Sequence, residues 1–563
     1  LDNEAIIRLF RLTGQLLELH EENPLKIRSY TNAVFVLEKQ NEDLATLPAD
    51  QLEKIEGIGK SLAEKIQTII KEGTFPELQN LVAKTPEGVM DMLAIKGIGP
   101  KKVRTLWKEL GLESTDALLQ ACEENRVAKV KGFGEKTQES IRQSLLFNQK
   151  ASGKMHYADA ESAALFVVQK LEEQGLPVRL TGEMARKLEV IEKIQAVVGT
   201  DQFSEAHQLV GKLPGLRRDE KTSAPFAWRG FFEGSEMPLE ILLVPQRQFV
   251  NQSFIYASGP EHLKHVADSG QNLRQIALSA KFDTEEAIYQ KAGLPYIAPE
   301  LREGLIEFDL AKAGKLADLV EMKSLKGILH NHTTYSDGKH TLTEMATYCK
   351  ELGYEYVGIT DHSKAAFYAN GLHEEQVRKQ QAEIDELNKK LVPFKIFKGI
   401  ESDILSDGSL DYETDVLASF DFIVASIHTS FKMDEQKATQ RLIKAIENPY
   451  TTILGHPTGR LLLRREGYPI NHTKVIDACA ANGVVIEINA NPWRLDIDWR
   501  WLPYALEKGV LISINPDAHA KEGYHDMIYG VHIGRKGGLT TDMTFNAKTV
   551  GEVEKYFKLG IRN

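Results

Sequence analysis

Only three cysteines occur in 563 residues, Cys122, Cys349 and Cys479. They are odd in number and share no ligand spacing, which argues against a disulfide framework and fits a reducing compartment. No apolar run approaches the length that spans a bilayer. The stretch LDNEAIIRLFRL reads as an amphipathic helix that carries acids and has no small-residue cleavage site. The expected location is cytoplasmic, with no membrane contact. A basic excess is missing too. With 69 Lys and Arg against 80 Asp and Glu, any affinity for nucleic acid must come from local patches rather than net charge. The length exceeds what one core supports and predicts roughly three to five domains.

What the chain does have is a set of seven short apolar stretches between residues 328 and 519: ILHNHT, VGITDH, FKGIESD, FIVASIH, ILGHP, VVIEINA and LISINPDAH. Runs of this length separated by helix-length gaps are the mark of buried parallel strands in an α/β unit. Six of them end in His, Asp or Glu: His330 and His332, Asp361 and His362, Glu401 and Asp403, His428, His456, and Asp517 and His519, with Asp337 and His340 just after the first. Such residues at the C-terminal ends of parallel strands converge on one face of a barrel. His330 and His332, two apart on extended chain, point to the same side and can reach one ion. Mixed nitrogen and oxygen donors suit zinc, manganese or iron(II), and the lack of Cys among them argues against a closed structural zinc site. This many donors implies more than one ion.

The first 150 residues repeat a different pattern. IEGIGKSLAEKI, IKGIGPKKVRTLW and VKGFGEKTQESI each place apolar-Gly-apolar-Gly between helical segments, at Gly57 and Gly59, Gly97 and Gly99, and Gly132 and Gly134. Glycine there permits a tight turn and close approach of another backbone, and the following helix offers unpaired N–H groups to a phosphate. Lys60, Lys101, Lys102, Arg104 and Lys136 add positive charge beside the turns. These loops resemble the helix-hairpin-helix element, which implies sequence-neutral gripping of DNA.

The stretches HNHTTYSDG, GITDHS, GIESD, SIHTS, GHPTGR and PDAH resemble the motifs of the polymerase and histidinol phosphatase (PHP) domain. That resemblance implies a distorted (β/α)7 barrel holding a metal cluster for phosphoester hydrolysis. Matched position by position, it makes His330, His332, Asp337, His362, Glu401, His428, His456, Asp517 and His519 the ligands, and places Asp361, Asp403 and His340 beside them. The rest of the chain is similar to family X DNA polymerases. NPLKIRSYTNA lies near that family's basic helix, and GLPYIAPELREG at 293–304 is close to the signature that closes the thumb of the bacterial members. The expected fold is therefore multidomain, α+β and α/β: a helical N-terminal domain with helix-hairpin-helix at 1–82, fingers with further hairpins at 83–150, a palm at 151–245, a thumb at 246–320 and the PHP barrel at 325–563.

The palm departs from the family. In TGEMARKLEVIEKIQAVV, Gly182 is followed by Glu183 where the family has Ser, Ala185 replaces an arginine, and Lys193 and Gln195 stand where two Asp belong, with Glu240 at the third carboxylate position. Glu189 and Glu192 are three apart and would face opposite sides of a strand, so a shifted register restores nothing. In the thumb, IYASGP keeps Tyr256 and Gly259 but has Ala257 and Pro260 where the family has Phe and Ser. Two magnesium ions need several carboxylates on one face, so nucleotide addition is not expected here. Lys65 matches the family's Schiff-base lysine, with an exposed helical lysine as the plain alternative.

Together these features lead to the expectation of a metal-dependent phosphodiesterase acting as a 3′ to 5′ DNA exonuclease in repair. It would use two to three divalent ions, manganese or zinc first and iron next, and Arg460, Arg464 and Arg465 could grip the phosphate. The expected partner is gapped or 3′-ended duplex DNA, held by a monomer near the nucleoid. An active gap-filling polymerase, a noncatalytic scaffold and a small-molecule PHP phosphatase are the alternatives.

Overall fold

A computed structural model describes residues 3–40, 42–95, 97–151, 153–233 and 237–560. The chain falls into two compact units, Leu1–Ser152 and Gly153–Asn563. The first is all helical around a core that includes Phe10, Tyr30, Ile66, Val89, Leu106 and Ile141. Its helices form where apolar residues recur every three or four positions. Lys60–Glu72 buries Leu62, Ala63, Ile66 and Ile69 and stops at Gly73, which takes the left-handed conformation at φ +74°.

The three glycine turns share one geometry. Gly57, Gly97 and Gly132 have φ of +90°, +94° and +89°, a region that disfavours any residue with a Cβ. The next residue, Ile58, Ile98 or Phe133, is buried, and its N–H closes the turn onto the carbonyl three residues back, at Ile55, Ile95 or Val130. The second glycine then begins a helix: Lys60–Glu72, Pro100–Leu110 or Glu135–Ala151.

In the second unit, a five-stranded sheet is ordered Val178–Thr181, Ile194–Gly199, Pro238–Val244, Ala227–Phe232, Leu216–Arg218. Its second and third members in that order are parallel, and the other neighbours are antiparallel. Tyr157–Glu172 packs against the sheet through Ala160, Ala164, Val167 and Leu171. A helical segment from Phe249 to Lys312 follows. It is centred on Phe254, Ile276 and Tyr289, and inside it buried His262 bonds Glu307 at 2.8 Å and the Tyr289 hydroxyl at 2.9 Å.

The remainder is the expected barrel. Seven strands, Gly327–Ile328, Tyr356–Ile359, Lys395–Asp403, Phe422–Ser426, Ile453–Leu454, Val485–Asn489 and Ile512–Asn515, lie side by side in sequence order, all parallel. The first and last are joined past their ends by a parallel bridge, Asn331 with Ala518, where the His332 N–H donates to the Ala518 carbonyl at 2.8 Å. Helices fill the gaps between strands, which is why the connections run parallel. Near the strands' N-terminal ends, Tyr356, Phe397, Phe422, Ile453 and Val485 pack with Phe545 and Phe557. A Cβ at Gly358 or Gly399 would sit 2.4–2.5 Å from the Phe422 ring, so both glycines make room for that aromatic. With that end filled, the C-terminal end is left for chemistry. Among the described residues no helix is long and apolar enough to cross a membrane.

Candidate metal centre

The extended chain continues beyond Ile328 through the bridge at Asn331, so the alternation expected of His330 and His332 holds. The Asn331 side chain turns away to the Gly358 carbonyl, while both imidazoles lean on Asp517, with Nε2–Oδ1 distances of 3.4 Å for His330 and 3.0 Å for His332. Glu401, fully buried in the third barrel strand, is the hub of the cluster. Its Oε1 lies 3.0 Å from His456 Nε2, 3.2 Å from His428 Nε2 and 3.3 Å from His330 Nε2, and its Oε2 lies 2.9 Å from His362 Nδ1. Asp337 reaches His519 at 3.4 Å and His362 at 3.7 Å. Three groups of donors are each close enough to share an ion: His332 with Asp337, His362 and His519; His330 with His332 and Asp517; His362 with Glu401 and His428. His456 joins through Glu401.

Buried polar atoms are nearly always paired, and five atoms of this cluster are not: His330 Nε2, His332 Nδ1, His362 Nδ1, Glu401 Oε2 and His456 Nδ1 make no hydrogen bond. Unpaired imidazole and carboxylate atoms gathered in one place are what a set of divalent cations would satisfy. The electrostatics agree. Burial alone would raise the acids, yet the imidazolium charge of His428 and His330 holds Glu401 well below its ordinary range, and His330 does the same for Asp517. Burial works against His428 as well, and Glu401 with Asp403 overcomes it, lifting that imidazole to about 10. His332 moves the other way, to about 3, because it is buried beside His519 and His362.

Outside the donors is a ring of orienting groups. Glu487 accepts from His330 Nδ1 at 2.7 Å, from the His456 backbone N–H at 2.9 Å and from Asn515 at 3.2 Å. Asp403 bonds His428 Nδ1, and the Asp517 carbonyl lies 3.0 Å from His519 Nδ1. Fixing one ring nitrogen of an imidazole leaves the other as the ligand atom. Both oxygens of Asp361 are taken by hydrogen bonds. It accepts from Thr333 N and Oγ1, Ser336 N and Oγ and Gln380, and so clamps the loop that carries His332 and Asp337. His340 lies at the edge of the site, where its Nδ1 accepts from Lys521 N at 3.3 Å. His456 and Asp517 have φ of +21° and +52°, unusual for residues with side chains and the kind of local strain that concentrates at functional sites.

Arg460 is a correction. Its Nε and both terminal nitrogens donate to the Arg494 carbonyl, the Leu495 carbonyl and the Asp498 carboxylate, so it holds the 494–498 loop instead of gripping a phosphate. Arg465 donates to the Gly459 carbonyl, and Arg464 lies over the Trp493 ring. The cation beside the donors is Arg494, 3.5 Å from Asp517. Arg494 and Glu487 were missed from the sequence. Glu487 did leave a signal there, since an acid inside a fully apolar strand needs a buried partner.

Elsewhere in the second unit, Gln195 and Glu240 are register partners on adjacent parallel strands, and Arg229 pairs Glu240 from the other side. Lys193, Gln195 and Arg229 all donate to the Glu240 carboxylate, at 2.8, 2.6 and 2.6 Å. Glu183 accepts from the backbone N–H groups of Glu192 and Lys193, and Glu189 faces Trp499 and Arg500. In the helical unit, Lys65 donates to Glu77 at 2.7 Å and to the Tyr30 hydroxyl at 2.8 Å. The helix-hairpin-helix glycines Gly57, Gly59, Gly97, Gly99, Gly132 and Gly134 are all exposed, as are Lys60, Lys101 and Lys136. Lys102 is partly buried, with its ammonium 5.6 Å from the Phe133 ring centre.

Residues 1–75 match the helix-hairpin-helix domain family, 89–145 a SAM-like helix-hairpin-helix tandem and 329–491 the PHP domain. Over 98% of its length, and 99% of the relative's, the chain is 34% identical to the DNA polymerase/3′-5′ exonuclease PolX of Bacillus subtilis (strain 168). A probable phosphatase of Thermoanaerobacter sp. (strain X514) is 29% identical over 42% of this chain and 96% of its own. Another from Caldanaerobacter subterraneus subsp. tengcongensis is 29% identical over 34% and 74%.

Proposed function

We propose, from the premise that this chain belongs to the PolX family of DNA polymerase/3′-5′ exonucleases, that it removes nucleotides from DNA 3′ ends at the barrel's metal centre. The helix-hairpin-helix segments would hold the duplex backbone, and the palm would be silent in synthesis. The observation that carries this reading is the convergence of His330, His332, Asp337, His362, Glu401, His428, His456, Asp517 and His519, with five of their buried polar atoms unpaired. Those residues suit two to three divalent ions, manganese or zinc first and iron next. When bound, the ions supply an acidified water and neutralise charge building on the phosphate.

The chain's own part is positioning. Glu487, Asp403 and the Asp517 carbonyl fix the imidazoles, and Asp361 fixes the loop of His332 and Asp337. Arg494, 18% exposed beside Asp517, is placed to meet a phosphate oxygen. DNA would be held as phosphate backbone. A Cβ at Gly59, Gly99 or Gly134 would meet nothing within 4 Å, so the space in front of each helix start is open to another backbone. In the palm, a lone Glu240 already neutralised by Lys193 and Arg229 has no charge left for two magnesium ions. The preference for gapped or 3′-ended duplex, the monomeric state, a cytoplasmic place near the nucleoid and the five-part division at 82, 150, 245 and 320 belong to the same proposal.

A second reading, phosphomonoester hydrolysis by the same centre, is favoured by the probable phosphatases that match part of the chain. One experiment separates these readings: a 5′-labelled primer on a gapped template, with Mn²⁺ and nucleotides, carrying either a 3′ hydroxyl or a 3′ phosphate. Shortening supports the exonuclease, loss of the 3′ phosphate alone supports the phosphatase, and nucleotide-dependent extension overturns the silent palm.

A further inference from the structure

Three large aromatic side chains stand in water on loops at the C-terminal rim of the barrel. Phe367 is 82% exposed, Tyr368 57% and Trp493 40%. The first two are on the loop after the second barrel strand, and Trp493 is on the loop after the sixth. In a ring of seven strands in sequence order, these two loops rise on opposite sides of the mouth.

Neither loop is loose. In the first, the Leu372 N–H donates to the carbonyl of the ligand His362 at 2.8 Å, Ala366 and Leu372 are fully buried, and Gly371 passes so close to the Ser363 carbonyl that a Cβ would lie 1.9 Å from it. In the second, the Asn489 N–H donates to the Asp496 carbonyl, the Leu462 N–H donates to the Trp493 carbonyl, both at 2.6 Å, and Arg460 holds the carbonyls of Arg494 and Leu495. The fold therefore spends buried contacts and an arginine on holding aromatic rings out of its core. Large rigid apolar surface left in water marks a binding site.

The surroundings identify the chemistry of the occupant. Arg464 lies over the Trp493 ring at 4.0 Å, His156 stacks against that ring with centroids 5.9 Å apart, which leaves its outer edge to solvent, and Arg494, the next residue, lies 3.5 Å from Asp517. The Tyr368 hydroxyl makes no hydrogen bond among the described residues. Partial enclosure, and then the charges of Asp403, Glu401 and Asp337, raise its pKa. Aromatic faces alternating with arginines, next to a site for divalent cations, complement a ligand with flat rings and anionic links.

Resting on the exonuclease reading above, we propose that Phe367, Tyr368 and Trp493 form a stacking subsite that takes the bases of the last nucleotides of the strand and so sets the terminal phosphodiester over the metal centre. Arg460 then acts as a positioning residue for the Trp493 loop. Every base has a π-face, so the subsite would tolerate any sequence.

The test compares wild type with Phe367→Ala and Trp493→Ala, and with Phe367→Trp and Trp493→Phe as conservative variants. Substrates are a 5′-labelled single-stranded oligonucleotide and the same oligonucleotide with its two 3′-terminal nucleotides made abasic. Removing one stacking ring should raise KM on the first by about tenfold, with kcat changed less, and the conservative variants should recover most of it. On the abasic-ended strand wild type should already show the raised KM, and the alanine variants should add nothing. An alanine variant with wild-type KM, or an equal penalty with and without terminal bases, overturns the subsite. Wild-type protein that shortens neither strand overturns the exonuclease reading itself, whereas shortening that is indifferent to the variants overturns the subsite alone.

Discussion

Replacing Glu487 with Gln would test how the donor cluster is tuned, because the change keeps the volume, removes the charge and turns one acceptor into a donor. Glu487 is fully buried and accepts on both oxygens: Oε1 from His330 Nδ1 at 2.7 Å and from Asn515, Oε2 from the His456 backbone N–H at 2.9 Å. An amide has one acceptor and one donor end. Whichever way Gln turns, its NH2 meets either the backbone N–H of His456 or His330 Nδ1. A backbone N–H cannot adapt, so His330 has to, accepting at Nδ1 and carrying its proton on Nε2. Nε2 is the atom that lies 3.3–3.4 Å from Glu401 and Asp517, and a protonated nitrogen is no ligand. Losing such an orienting group costs about 10–100-fold in metal affinity, equivalent to about 1.4–2.8 kcal/mol, and the lost charge-assisted bond would lower folding stability by about 1.5–3 kcal/mol. Metal content by mass spectrometry after equilibration in graded free Mn²⁺ reads the first quantity, and chemical denaturation of metal-free protein reads the second. High Mn²⁺ should restore hydrolysis to the folded variant. Wild-type metal affinity in Glu487→Gln would refute the reasoning, since it would mean that the tautomer of His330 does not govern binding.

Ala at both His330 and His332 should lose bound metal and nearly all nuclease activity while DNA binding, read by fluorescence anisotropy, survives. Because Gly99 has φ −90° and an open Cβ direction, Gly99→Val should fold normally yet weaken DNA binding and flatten its salt dependence by a slope of about one per lost phosphate contact. Gly97→Val, at φ +94°, should instead lower the melting temperature. Asp at positions 193 and 195 together should still give no efficient primer extension, because Glu183, Ala185 and Ala257 leave a triphosphate without its cradle. Burial raises the Asp526 carboxyl to about 6 from an ordinary 3.8, so the folded state holds the extra proton and stability should fall as pH rises from about 4 to about 6, then level off. Asp526→Asn should therefore gain on the order of 1–3 kcal/mol at pH 8 and nothing at pH 4, measured by denaturant titration at both.

The convergence of the candidate ligand side chains was legible in the sequence because all but Asp337 sit in or just beyond the end of an apolar strand, so a local pattern repeated six times specifies the rim. The hairpins were legible for a similar reason: a turn needing positive φ takes glycine wherever it occurs, and Gly57, Gly97 and Gly132 all do. Less could be read where a role depends on what lies opposite. Arg460, in GHPTGR, looked like a phosphate grip until the loop at 494–498 occupied all its nitrogens. Arg494 carries no motif and gains its place only because its loop folds back toward Asp517.

By itself, then, the sequence determined the repeated local units: parallel strands that end in His, Asp and Glu, and glycine turns that open helices. Tertiary structure decided which atoms of those units meet. It set Glu487 against both His330 and His456, turned Lys193 and Arg229 onto Glu240, and held Phe367 and Trp493 out in water. The physical reason is range. Backbone conformation and strand burial follow from neighbours a few residues apart, whereas pairing of charges and imidazole tautomers depends on partners such as Glu487 and His330, 157 residues apart, brought within hydrogen-bond distance only when the barrel closes.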